Sequence, residues 1–131
     1  MSENETTPAV SKRALWGGRI LSIVPCLLLL MSGAMKFIRP PGFDEGLAHM
    51  GWAADKMTYL GIVEIACVVI YLIPRTAEIG AILLTAYMGG AIATHVRVGD
   101  PFIVQVLVGM AFWGGLWLRD PRLKQLIPIT K

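Results

Sequence analysis

Charge is scarce in this 131-residue chain: Asp, Glu, Lys and Arg make up 16% of it, against about a quarter in a soluble domain. Cysteine is scarcer still, with only Cys26 and Cys67 and no C-x-x-C. That excludes a thioredoxin-type pair and a zinc ribbon, and leaves both as small apolar packing residues. Of the two histidines, only His95 lies within an apolar run. One histidine and one carboxylate at depth are too few for a metal site, and a lone histidine makes no case for haem. No phosphate-loop, nucleotide or protease motif is present. The formal charge of +3 and pI of about 9.1 read as the orientation signal of a membrane protein, so no nucleic-acid partner is expected.

What the chain has instead is long apolar blocks. Hydrophobic residues make up 55%, and the mean hydropathy is +0.62. The blocks cover about 15–38, 57–73, 77–98 and 102–118, and crossing the hydrocarbon takes about 20 helical residues. Pro40, Pro74, Pro101 and Pro121 follow the blocks and mark their ends. Pro25, inside the first, should kink it. Trp16, Tyr59, Tyr71 and Trp117 sit near block ends, where amphipathic rings favour the headgroup level. The expected fold is therefore all-α: an integral membrane four-helix bundle over 14–120. A flexible polar tail, 1–13, precedes it and a basic tail, 121–131, follows. Ser32 and Ala34 offer a small-x-small cleavage pattern, but Lys36 and Phe37 follow at once and the run is long. The first block is read as a retained helix.

Four crossings put both termini on one side. That side gathers Lys12, Arg13, Arg19, Arg75, Arg119, Arg122, Lys124 and Lys131, against Lys36, Arg39, Lys56 and Arg97 on the other. The bias places both termini in the cytoplasm. In the outer loop between helices 1 and 2, Phe43, Leu47 and Met50 recur at helical spacing. This marks a short amphipathic segment, weakened as a helix by Gly42, Gly46 and Gly51. Small residues four apart, Ala86, Gly90 and Thr94 with Gly89 and Ala93 beside them on the third block and Ala111 and Gly115 on the fourth, are expected to mark helix–helix contacts. A homodimer seam would show the same stripe.

Glu64 is a carboxylate inside an apolar block, and such groups are costly, inward-facing and functional by default. A neutral, hydrogen-bonded structural glutamate is the plainer reading. Lys36, His95 and Arg97 fall within the outer third of the bilayer, and Ser32 shares a face with Lys36. These five residues form the candidate ligand-binding or proton-relay cluster, with Arg97 the favoured partner for Glu64. Individually, Lys36 and Arg97 can snorkel, and His95 can be an ordinary interior histidine. Donors beside a buried carboxylate suit a quinone carbonyl or an anionic head.

The run Ser32-Gly33-Ala34-Met35-Lys36, then Leu60-Gly61-Ile62-Val63-Glu64, resembles the DoxX-like family of small bacterial membrane proteins. Pro74-Arg75-Thr76-Ala77 and Gly89-Gly90-Ala91 through His95, Arg97, Gly99, Asp100 and Pro101 continue the likeness. The resemblance implies a four-helix bundle in the bacterial cytoplasmic (inner) membrane, in contact with the lipid bilayer. It also implies an association with quinone and membrane redox chemistry, with a redox-protein partner or a homo-oligomer. It supplies no settled catalytic set. The chain lacks the paired cysteines that thiol–disulfide relatives need. The competing expectations are a small proton-coupled transporter acting as a homodimer, and a ligand-free structural or assembly protein.

Overall fold

The computed structural model describes residues 10–126, and among them every regular element is helical. Helix α1 covers Lys12–Ile38, α2 Phe43–Met50, α3 Met57–Leu72, α4 Ala77–Arg97, α5 Ile103–Arg119 and α6 Pro121–Leu126. Single 3₁₀ turns at Ala54–Lys56 and Pro74–Thr76 lead into α3 and α4. The four long helices pack side by side in a closed ring: α1 touches α3 and α5, and α4 touches the same two.

Local chemistry explains where these helices begin and end. Ser11 caps α1 by accepting a 3.2 Å hydrogen bond from the Ala14 amide, so α1 starts three residues before the expected block. Lys12 and Arg13 thus belong to the helix; residues 1–9 of the expected tail lie outside the described residues. The helix runs through Pro25 without a break and stops at Arg39, which takes a left-handed conformation (φ 52°) ahead of Pro40-Pro41. The Thr76 hydroxyl donates to the Ile70 carbonyl at 2.8 Å and tightens the turn between α3 and α4. Asp120 caps α6 by accepting from the Arg122 amide at 2.9 Å, with Pro121 at the first helical position. Burial pushes the Asp120 carboxyl up, but the hydrogen bonds from Arg122 outweigh it and hold the group below the usual carboxylate value. Part of the expected basic tail is therefore helical; residues 127–131 lie outside the described set.

Apolar side chains line the outside of the bundle as well as its core. Glu64 and Ser22 are 1% and 3% exposed, while Trp16, Ile20, Leu27 and Met31 along α1 are 58–60% exposed. Val104, Leu107 and Met110 on α5 and Ile79 and Ile82 on α4 are exposed as well. Such continuous apolar faces need a nonaqueous surrounding. Two segments, Lys12–Ile38 and Pro74–Arg97, are long and apolar enough to cross a membrane. At 1.5 Å per residue, the 16 residues of α3 and 17 of α5 reach about 24–26 Å.

Close approach comes at Gly115, as expected, and otherwise at glycines outside the stripe on the third block. A Cβ on Gly89 or Gly90 would meet nothing within 4 Å. Gly80 instead lies against the Tyr71 backbone, Gly18 against Gly115, and Gly115 against Ser22. Tyr71, expected at the headgroup level, is 2% exposed. Its hydroxyl donates to the Phe112 carbonyl at 2.7 Å and accepts from Ser22 at 2.8 Å and from Arg119 at 3.4 Å. Its ring meets Phe112 edge-on at 4.9 Å. Gly80→Val should therefore cost about 1–3 kcal/mol through overpacking. Gly89→Ala should be neutral or slightly stabilising by helix propensity. Thermal unfolding of the two variants in detergent checks the contrast.

Candidate functional site

The polar cluster assembles where α1 and α3 come closest at the α2 end. Lys36 Nζ lies 2.5 Å from Glu64 Oε2 and also donates to Ser32 Oγ at 2.9 Å. The side chains of Lys36 and Glu64 are 13% and 1% exposed. Two glycines permit the approach, each three residues before a charged partner. A Cβ on Gly33 would sit 2.8 Å from Ile65 Cγ1 and 3.7 Å from Glu64 Oε2. One on Gly61 would sit 2.9 Å from the Phe37 ring and 3.3 Å from Lys36 Cβ. Backbones without side chains at these positions bring ammonium and carboxylate into contact away from water.

Tyr87 of α4 joins from the third side, its phenol interacting with the Glu64 carboxylate. The same residue lines a cavity of about 200 Å³ between α3 and α4, together with Trp52, Leu60, Ala86, Gly90, Ala91 and Thr94. Tyr87 and Trp52 were not among the residues expected at the site. Tyr87 carries a visible signal, because it lies one and two turns before Ala91 and Thr94 on the face leading to Arg97. Trp52 belongs to a loop, where periodicity gives no guidance.

Of the five expected residues, Ser32, Lys36 and Glu64 are thus together. Arg97 is not the partner of Glu64. Its Nη2 donates to the Met50 carbonyl at the end of α2, and its guanidinium lies beside Gly51. The physical reason is position: Arg97 is the last residue of α4, level with the connecting loop rather than with the middle of α3. His95 makes a separate pair. Its Nδ1 lies 2.7 Å from the Ala91 carbonyl, which assigns the ring hydrogen to that nitrogen, and Nε2 then accepts from Gln105 Nε2 at 3.3 Å. Gln105 flanks an open apolar groove of about 490 Å³ between α4 and α5, where Trp113 donates to Thr85 Oγ1 at 2.5 Å.

No group of three or more potential metal ligands occurs among the described residues. The chemistry on offer is hydrogen bonding and charge compensation. An ion pair so deeply buried depends on both partners, since removing one strands the other in an apolar interior. Lys36→Met should lower stability by about 3–5 kcal/mol. Lys36→Met combined with Glu64→Gln should recover most of that loss. Unfolding of the single and double variants in matched detergent measures the coupling; additive losses would mean the two side chains act independently.

No curated protein and no solved structure matches the chain. The sequence pattern of the DoxX-like family matches residues 20–118, a span that holds α3, α4, most of α1 and nearly all of α5, with every residue of the cluster. The chain belongs to the DoxX-like family of membrane-associated proteins.

Proposed function

We propose that this protein crosses a bacterial cytoplasmic membrane four times, with both termini in the cytoplasm. There it serves as a subunit or accessory protein of membrane redox chemistry, holding the head of a lipid-soluble quinone near its outer face. The observation that carries this reading is the buried Lys36–Glu64 pair, linked through Tyr87 to the cavity under Trp52. The uneven distribution of Lys and Arg between the two ends supports the orientation.

The residues present fit a flat ring in two respects. Trp52 and Tyr87 supply aromatic walls for a flat ring, and Ala86, Gly90 and Ala91 leave the backbone approachable. A volume of about 200 Å³ is smaller than the roughly 300 Å³ at which pockets for whole drug-sized ligands begin, and so suits a head ring alone. A bound quinone would supply a carrier of electrons and protons within the bilayer. The chain's own residues exclude water, orient the ring and keep a compensated charge beside it. Lipid contacts cover the exposed apolar faces, and a redox protein or a second copy completes the assembly.

The transporter reading draws less support from the same residues. A proton path needs a carboxylate open to it, and Glu64 is 1% exposed and occupied by the Lys36 ammonium at 2.5 Å. A purely structural role accounts for the ion pair but not for the cavity beside it.

Native mass spectrometry of the protein released from gently solubilised bacterial membranes tests the reading. A stoichiometric quinone adduct is expected, and Trp52→Ala should weaken its retention by about fivefold, the worth of one aromatic contact. Protein without an adduct would overturn the proposal, and a bare homodimer would move the assignment to the transporter.

A further inference from the structure

We infer that the groove between α1 and α5 holds one anionic phospholipid, with an acyl chain along its apolar floor and the phosphate at Arg13. The inference shares only the membrane crossing with the reading above; neither the Tyr87 cavity nor a quinone enters it.

The groove has a volume of about 370 Å³, and every side chain that lines it is apolar. Pro25 and Val108, both buried, form its floor. Val24 and Ala111 in its walls are short, which leaves the seam between the two helices unfilled. From Ile20 to Leu28 it follows α1 for about 12 Å, at 1.5 Å per residue. A trough of this length, open to the hydrocarbon, suits an extended acyl chain. A compact polar ligand would find no side-chain hydrogen-bond partner in it and would lose its hydration on entry.

Charge selects the head. Arg13 lies two helical turns before Ile20 on the same face of α1, about 10 Å beyond the end of the groove. It is exposed, and its guanidinium has no partner among the described residues. Trp16, between the two levels, is exposed and carries the Arg19 guanidinium 5.2 Å from its ring centroid. Such a pairing of aromatic ring and cation belongs at headgroup depth. Neither α1 nor α5 contains an Asp or Glu. At this end of the bundle Glu78 and Asp120 are both engaged by Arg122, so no carboxylate there competes for Arg13. An anionic head therefore gains at this position what a zwitterionic head does not. A diffuse attraction would draw on every cation at this end alike. The site is narrower, because Arg13 stands in line with the groove and Arg19 is turned about 120° from Arg13 around the helix.

The test is native mass spectrometry of the full-length protein, delipidated in detergent and titrated with dioleoylphosphatidylglycerol or dioleoylphosphatidylcholine, which share their acyl chains. The first phosphatidylglycerol should bind about fivefold more tightly than the first phosphatidylcholine, the worth of one basic residue beside an anionic head. Arg13→Gln should abolish that preference, and Arg19→Gln should leave it in place. Val24→Trp, at an exposed position in the wall of the groove, should weaken the first adduct of both lipids. Ala111→Phe tests the same wall should Val24→Trp fail to accumulate. Equal binding of the two lipids, equal losses from Arg13→Gln and Arg19→Gln, or an unchanged first adduct with the groove filled would each overturn the proposal. A quinone adduct differs from these lipids in mass, and its loss leaves the preference at Arg13 untouched. The two readings therefore fail separately.

Discussion

A carboxylate and an ammonium sealed between two helices persist in an apolar interior only as a pair. Taking either charge out of water costs several kcal/mol, and contact with the other, plus further hydrogen bonds, is what offsets it. Lys36 and Glu64 meet that condition at 2.5 Å, with Ser32 taking another ammonium hydrogen and Tyr87 reaching the carboxylate from α4. The constraint spreads outward from there. It sets the rotation of α1 against α3, because both residues must face the seam. It requires glycine at 33 and 61, because larger residues would hold the helices apart. It also ties α4 to the pair through Tyr87, and so shapes the cavity on the far side of that ring.

A second polar layer lies near the opposite end, seven residues along α3 and so about 10 Å away. Ser22, Tyr71 and Arg119 link α1, α3 and α5 there, again where glycines 18, 80 and 115 bring backbones together. Between the layers the core is apolar, with Leu29, Val68, Leu84 and Phe112 buried. In lipid, apolar side chains gain little by leaving the hydrocarbon, so close packing and interhelical hydrogen bonds carry more of the association. Both are concentrated in these two layers, which act as registers for the ring of helices.

The helices were legible because their apolar blocks are long and proline punctuates them; seven of the eight ends moved by one residue or not at all, and α1 began three residues earlier through the Ser11 cap. The polar cluster was legible for Ser32, Lys36 and Glu64, since depth in an apolar run can be counted along a helix. Arg97 was misjoined to it because it ends α4 level with the connecting loop, and His95 because its place along the helix does not fix which neighbour its ring faces. The Gly89–Gly90 stripe misled for a related reason. Small residues permit close approach without compelling it, and the approaching backbones lie at Gly80 and Gly115. Trp52 and the contact of Arg97 with α2 were out of reach, because nothing local predicts where a loop folds back.

The two layers differ in what they leave over. In the Tyr71 layer the phenol gives its single hydrogen to Phe112 and accepts from both Ser22 and Arg119, so its capacity is filled. The Lys36 layer is less complete: one ammonium hydrogen has no assigned acceptor, and an aromatic-walled cavity adjoins the cluster. The Tyr71 layer fixes one end of the frame, while the Lys36 layer meets, through Tyr87, an open cavity lined also by Leu60, Thr94 and Trp52.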